Sequence, residues 1–366
     1  MSSRDEADDD DARMAHALAL AARGLYTTSP NPRVGCVIVR EGRVIGEGYH
    51  ELAGGPHAEV VALADARARG EDTRGATLYV TLEPCNHVGR TGACTDALLG
   101  SGVTRVVAAM HDPNPLAEGG AKRLRAAGIR VDIGAREDEA RALNPGFVSV
   151  MTRGLPYIRL KVAASLDGRT AMEGGESRWI TGEAARADGH AWRARACAVL
   201  TGIGTVLADD PEMTVRAVDT PRQPLRIVVD RHGDTPRDAK VLRGGALIIT
   251  AGTRNGEWND DVEHLALPDA QGRVDLVAMM RELARRGLCE IHVEAGARLN
   301  GALFEAGLVD EIVAYVAPSL LGDPARGIAQ FAESLRPLAS RVQLGFDAID
   351  RIGEDLRIRA RVNRES

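Results

Sequence analysis

Four residues open a chemical reading of this chain: His57, Cys85 and Cys94, with Glu59 two positions after the histidine. His57-Ala58-Glu59 follows Pro56, a residue suited to the first turn of a helix. Pro84-Cys85 ends the apolar run ATLYVTLE, and eight residues separate Cys85 from Cys94. Zinc takes nitrogen and sulfur donors in a tetrahedron, and a catalytic zinc keeps one corner for water. One imidazole and two thiolates leave that corner free. The metal and a helix N-terminus both favour the thiolate form. Water on such an ion ionises near pH 7, and Glu59, outside the ligand set, is placed to carry its proton to a ring nitrogen and then to departing ammonia. H-x-E followed by P-C is the pattern of zinc nucleobase deaminases.

Each fragment has a plainer explanation. Ala-rich helices produce H-A-E by chance, and a Pro-Cys with a later Cys is weak alone; the ordered set carries the signal. The gap departs from P-C-x-x-C, and His87 is an alternative ligand. Cys36, inside the apolar run VGCVIV, is expected in the core. In the second half, Thr201-Gly202-Ile203-Gly204-Thr205 follows an apolar strand, where glycines let backbone approach a phosphate. Gly296 and Gly301 bracket the start of another helix, whose free N–H groups favour a pyrophosphate. No G-x-G-x-x-G is present, and a turn is the plain reading of these glycines.

The elements that must position these residues alternate. A helix is predicted over Met14–Gly24, a hairpin over Val34–Val39 and Val44–His50, a helix from Pro56 to Arg69, and strands at Ala76–Leu82, Val103–Met110 and Gly128–Gly134, with a short helix at Thr95–Gly100. This is a sheet with helices on its faces, an α/β sandwich. The pattern breaks at Asn144-Pro145-Gly146-Phe147, and strands follow at Tyr157–Ser165, Ala198–Thr201, Leu225–Asp230, Ala246–Thr250 and Glu290–Glu294, with helices at Glu183–Ala196 and Val274–Arg286. The expected division is an acidic disordered tail over 1–11, a first domain over 12–150 and a second over 151–366.

With 366 residues, two domains are the natural division. A hydrophobic fraction of 44% supports full cores, and 3% aromatics means they are built from Ala, Val, Leu and Ile. The net charge of -6 offers no basic footprint for nucleic acid. Five cysteines do not form a disulfide framework. The acidic start is no signal peptide, and no apolar run spans a membrane; a cytoplasmic enzyme is expected.

The segments SPNPRVGCVIV, GEGYHELAGGPHAEVVAL, TLEPCNHVGRTGACTDAL and DPNP resemble the deaminase half of the bifunctional riboflavin-biosynthesis deaminase/reductase family, which carries the longer gap before its last Cys. KVAASLDGRTA, ESRWITG, AVLTGIGTVLADDPEMTVR and HVEAGARLNGALFEAGLVDE resemble its reductase half. The resemblance implies a cytidine-deaminase-like α/β/α sandwich followed by a dihydrofolate-reductase-like α/β domain. It implies zinc on His57, Cys85 and Cys94, Glu59 as proton donor, and substrate contacts from Asn31, His50 and Arg90, the last near the ribose phosphate. In the reductase half it implies NADPH contacts from Ala163, Trp179, Thr205, Asp209 and the stretch Gly296, Ala297, Arg298, Leu299, Asn300, Gly301 and Ala302. Ser177, Arg193, Met213, Arg216 and Glu294 would contact substrate, and Lys161 and Asp209 would give polar help near hydride transfer. Arg193 and Arg216 suit a phosphate as a pair. The loop reads Thr91-Gly92-Ala93 where the family commonly has T-P-P, and Met213 stands where it often has Leu.

The implied reaction deaminates 2,5-diamino-6-(5-phosphoribosylamino)pyrimidin-4(3H)-one and then reduces its ribosyl group with NADPH to 5-amino-6-(5-phosphoribitylamino)uracil. The expected partner is this phosphoribosylated pyrimidine, with neither nucleic acid nor membrane, and a homo-oligomer through the second domain is plausible. The competing readings are a nucleoside or nucleic-acid deaminase joined to an unrelated oxidoreductase, and a non-enzyme with structural zinc and a ligand-sensing module.

Overall fold

The computed structural model describes residues 3–87, 92–117, 119–252, 258–333 and 337–363. The chain divides into two compact units, Met1–Gly154 and Leu155–Ser366.

The first unit runs α1 (Ser3–Ala22), β1 (Gly35–Arg40), β2 (Arg43–Tyr49), α2 (Ala58–Ala68), β3 (Thr77–Val80), α3 (Cys94–Leu99), β4 (Arg105–Ala108), α4 (Gly120–Ala126), β5 (Arg130–Ile133), α5 (Glu137–Leu143) and α6 (Pro145–Arg153). Its sheet has the order β2-β1-β3-β4-β5, antiparallel from β2 to β3 and parallel from β3 to β5. Glu41 and Gly42 turn the hairpin with φ of 54° and 73°, the two left-handed residues a twisted two-residue turn demands. Strand β1 is buried almost throughout because both sheet faces are covered. Cys36 and Ile38 pack with Ala58 and Ala62 of α2, whereas Val37 and Val39 pack with Met14 and Ala17 of α1. Cys36 is thus a core residue.

The acidic start departs from the expected disordered tail over 1–11, since α1 begins at Ser3. Two carboxylates of this helix have partners elsewhere in the unit. Asp10 accepts from Tyr79 Oη at 2.8 Å and from both terminal nitrogens of Arg105 at 2.8 and 2.6 Å. Asp11 accepts from Arg136 at 2.9 and 2.7 Å. The boundary placed near residue 150 falls within α6, which starts on Pro145 and stops where Gly154 turns left-handed at φ 67°.

The second unit runs β6 (Tyr157–Ser165), β7 (Arg169–Ala171), α7 (Glu183–Arg195), β8 (Ala198–Gly202), α8 (Ile203–Asp209), β9 (Leu225–Val229), β10 (Ala246–Thr250), β11 (Val262–Ala266), α9 (Leu276–Arg285), β12 (Glu290–Val293), α10 (Ala297–Glu305), β13 (Glu311–Ala317), β14 (Arg326–Gly327), β15 (Leu344–Ile352) and β16 (Asp355–Val362). Nine strands form a sheet in the order β11-β10-β9-β8-β12-β6-β13-β16-β15, parallel as far as β13 and antiparallel through β16 and β15. Leu200, Ile227, Leu247 and Ile291 pack against Met279, Met280 and Leu283 of α9 and Leu303 of α10. Against α7 the buried layer is ionic: Arg159 meets Glu311 at 2.7 Å and Glu290 at 3.3 Å, Arg195 meets Glu290 at 2.8 Å, and the Trp192 ring lies 4.7 Å from the Arg159 guanidinium.

Candidate active sites

In the first unit His57 is the extended N-cap of α2, Glu59 lies in that helix's first turn, Cys85 follows β3, and Cys94 opens α3. His57 Nδ1 is 3.2 Å from Cys94 Sγ and 3.5 Å from Cys85 Sγ. The three donor atoms lie within 4.8 Å of one another. Tetrahedral zinc with bonds of about 2.0 to 2.3 Å has ligand edges of roughly 3.5 to 3.8 Å, so the donor set fits that ion. His87 is not part of this group, which has three donors among the described residues.

Two thiols this close oppose joint ionisation. The hydrogen bond from Cys94 is the main force pulling Cys85 down, to about 4, with help from His57. The same bond, with burial, pushes Cys94 up. Glu59 is 3% exposed, and burial raises its carboxyl. A buried carboxyl poised to hold a proton is what a shuttle needs.

Glu83 assembles the surrounding wall. One carboxylate oxygen meets His111 Nδ1 at 2.8 Å and accepts from the Asp112 amide at 3.4 Å, while the other accepts from the Ala121 amide at 2.8 Å. Gly120 is needed beside it, because a Cβ there would lie 1.8 Å from the Pro84 carbonyl oxygen. Asp112 is raised by burial to about 6. His50 donates from Nδ1 to the Pro56 carbonyl at 2.9 Å, which leaves Nε2 to accept from the Asn31 amide at 3.0 Å. Its ring meets that of His57 edge-on at 5.6 Å, and burial lowers its pKa, keeping it neutral. Asn31, His50, His57 and Glu59 therefore cluster. Arg90 lies outside the described residues. Glu83 and Asp112 were not singled out from sequence; the E-P-C and D-P-N-P strings were their only trace.

In the second unit a cleft of about 2100 Å³ opens along the sheet. Lys161, Ala163, Ser177, Trp179, Arg193, Thr205, Asp209, Met213, Arg216 and Glu294 all line it. So do Gly296, Ala297, Arg298, Leu299 and Ala302. Asn300 and Gly301 do not. Asn300 is buried and donates to the Ala295 and Ile328 carbonyls at 3.2 and 2.9 Å. A Cβ on Gly301 would lie 1.9 Å from the Gln330 carbonyl oxygen, so this glycine serves chain packing. Gly202 ends β8 and Gly204 lies within α8, so neither forms an extended glycine loop. Helix α10 starts at Gly296 with no side-chain cap, leaving its first N–H groups for a ligand.

Arg193 clamps Glu294, with Nη2 donating to Oε2 at 2.9 Å, and also donates to the Thr214 carbonyl at 2.9 Å. Arg216, on the same cleft, meets Glu212 at 2.8 Å. Lys161 Nζ stands 3.8 Å from Glu294, and Asp209 pairs with Arg178 at 3.8 Å. Burial opposes charge on Glu294, yet Arg193 and Lys161 outweigh it and hold the carboxyl well below the usual range. His190, not anticipated, lines the same cleft and accepts from the Arg216 amide at 3.2 Å.

A three-donor zinc pocket on a mixed sheet, followed by an α/β unit with an open cofactor-sized cleft, defines a two-part enzyme: a zinc deaminase joined to a reductase. Residues 7–110 match the cytidine and deoxycytidylate deaminase zinc-binding region, and residues 156–358 match the RibD C-terminal domain. The riboflavin biosynthesis protein RibD of Escherichia coli is 48% identical over 362 residues, covering 95% of this chain and 98% of the relative. That of Aquifex aeolicus is 42% identical, covering 94% and 96%. A solved RibD structure from Acinetobacter baumannii has a TM-score of 0.89 at 43% identity, covering 98% of this chain and 100% of that one. The diaminohydroxyphosphoribosylaminopyrimidine deaminase/5-amino-6-(5-phosphoribosylamino)uracil reductase of Thermotoga maritima gives 0.90 at 33% identity, with the same coverage. The chain belongs to the RibD family. It is a bifunctional enzyme of riboflavin biosynthesis, hydrolase and oxidoreductase in one chain, and its two domains fit the use of Zn2+ and NADPH. Among the described residues no helix is long and apolar enough to cross a membrane.

Proposed function

We propose that the first unit hydrolyses the 2-amino group of 2,5-diamino-6-(5-phosphoribosylamino)pyrimidin-4(3H)-one, and that the second reduces the deaminated product at the ribosyl C1′ to give 5-amino-6-(5-phosphoribitylamino)uracil. The observation carrying this reading is the convergence of His57, Cys85 and Cys94 beside a buried Glu59. Zinc held by those three side chains would supply Lewis-acid activation of water at neutral pH. Glu59 would take one proton from that water and give it to the ring nitrogen, then take the second from the hydroxyl added to the reacting carbon and give it to the departing 2-amino group, which leaves as ammonia. Neutral His50, oriented by the Pro56 carbonyl, presents Nε2 with Asn31 as a polar edge for the base. Arg90 supplies the cation for the substrate phosphate.

In the second unit NADPH supplies the hydride. The uncapped start of α10 would hold its pyrophosphate, and Ala163, Trp179, Thr205 and Asp209, which line the cleft, would contact the rest of it. Glu294, fixed by Arg193, orients the ribosyl chain together with Ser177, Met213 and Arg216, and Lys161 places a positive charge beside the ring oxygen that must take up a proton. The enzyme acts in the cytoplasm, without nucleic acid, and assembles as a homo-oligomer through the second unit.

Glu59→Gln tests the assignment. The variant should keep one zinc per chain by elemental analysis and lose ammonia release, while NADPH oxidation on the deaminated intermediate persists. Full deamination by Glu59→Gln would remove the proposed proton carrier.

A further inference from the structure

Cys85 and Cys94 stand at the two ends of one loop, with eight residues between them. Holding two ligands at the ends of a loop costs conformational entropy unless something else joins those ends. Gly92 adds to that cost. Its backbone is outside the left-handed region and a Cβ there would meet nothing within 4 Å, so its freedom answers no steric need.

Backbone contacts supply part of the closure. The Cys94 amide donates to Cys85 Sγ at 3.4 Å, and the Thr95 amide donates to the Cys85 carbonyl at 3.3 Å. Arg123 of α4 then reaches across both ends. Its Nη1 donates to Asn86 Oδ1 at 3.2 Å and to Thr95 Oγ1 at 3.0 Å, and its Nη2 donates to Asp96 Oδ1 at 2.6 Å. The Thr95 hydroxyl completes a triangle by donating to Asn86 Oδ1 at 3.2 Å. Asn86 directly follows Cys85, and Thr95 and Asp96 directly follow Cys94. The Asn86 amide also donates to the Ala117 carbonyl at 3.1 Å, which fixes its backbone.

Arg123 and Asp96 are half-exposed, so their ion pair alone contributes little. What matters is the fork: one planar group holds three acceptors drawn from both ends of the loop, and one of them, Thr95, is fully buried. The support behind it is firm, because Gly120 packs on the Pro84 carbonyl and the Ala121 amide donates to Glu83. We propose that Arg123 is a positioning residue of the metal centre, stapling the Cys85 and Cys94 ends of the loop together and so slowing escape of the bound ion. The inference rests on the reading that His57, Cys85 and Cys94 hold zinc.

Transfer of zinc from the full chain to an excess of a colour-forming chelator tests the staple without any turnover. Arg123→Ala should release zinc about tenfold faster. Arg123→Lys, a point donor in place of a fork, should recover only part of the difference. Arg125→Ala controls for a loosened helix: Arg125 lies in the same α4 but donates to the Val131 carbonyl at 3.2 and 2.7 Å, and its removal should keep the parent rate. Adding Gly92→Ala to Arg123→Ala should slow release again by about two- to fivefold, because it removes loop freedom. A parent-like rate in Arg123→Ala, or an equal acceleration in Arg125→Ala, overturns the inference and leaves the zinc reading standing. A parent chain that takes up no zinc overturns the zinc reading itself.

Discussion

The two units prepare carboxyl groups in opposite ways. In the deaminase site Glu59 and Asp112 are buried, and among the described residues neither has an arginine or lysine ion-pair partner. Burial therefore raises both. In the reductase cleft Glu294 is only partly buried, and Arg193 and Lys161 outweigh the desolvation and keep it ionised. A carboxyl raised by desolvation exchanges protons near neutral pH, whereas one held down by cations is a fixed negative charge. The first suits proton traffic between water, ring nitrogen and ammonia. The second suits holding a polyhydroxyl chain still while a hydride arrives.

Breaking the metal pocket should separate the units most sharply. Outer partners of metal ligands already cost up to about a hundredfold, so Cys94→Ser should abolish zinc loading and reduce ammonia release by more than about a hundredfold. NADPH oxidation on the deaminated intermediate should survive. A parallel loss of both activities would mean that the units do not work independently.

Removing the fixed charge comes next. Glu294→Gln leaves the partly buried Arg193 without its counter-charge, and breaking such a pair costs up to about 3 kcal/mol. Urea denaturation should show that loss in the second unit, with a raised KM for the deaminated substrate and unaltered ammonia release. Because the native Glu294 pKa is depressed, the stability its ion pairs contribute is present above its unfolded value, about 4.3, and fades as pH falls below it. An undiminished second unit in Glu294→Gln would remove the claim that pairing prepares this site.

The smallest effect should come from Asp112, and with the opposite sign. Its folded pKa of about 6 exceeds the ordinary value of about 3.9, so stability is lost as pH rises through that window. Asp112→Asn keeps an acceptor for the Asn114 amide, which Asp112 Oδ1 now binds at 2.9 Å. The substitution should stabilise the first unit by on the order of 2 to 3 kcal/mol at pH 7.5, shrinking to about half at pH 5. A gain independent of pH would show that desolvated charge is not the cause.

Legibility in the sequence followed the same divide. His57, Glu59, Cys85 and Cys94 could be read because metal geometry demands particular donor types. The reductase contacts needed the family resemblance. They are dispersed over β6, α7, α8, the end of β12 and α10, and no short spacing joins them. Composition misled at the N-terminus: Asp9, Asp10 and Asp11 form a charge run on paper, but Arg105 and Arg136, distant in sequence, give α1 its anchors. The seven-residue helices α4 and α5 are too short to show a period. Motif reading also placed Asn300 and Gly301 on the cofactor path. Their burial against the Ile328 and Gln330 carbonyls depends on a loop nearly thirty positions away, which local pattern cannot reveal.

The triple grip of Glu83 on His111, Asp112 and Ala121, together with the contact of Gly120 on Pro84, makes three separated stretches of chain behave mechanically as one block. Transplanting this pocket into another scaffold would therefore require moving residues 83–85, 111–112 and 120–121 as a unit. A cassette exchange confined to the cysteine-bearing loop would leave Cys85 without the bracing that aims its sulfur.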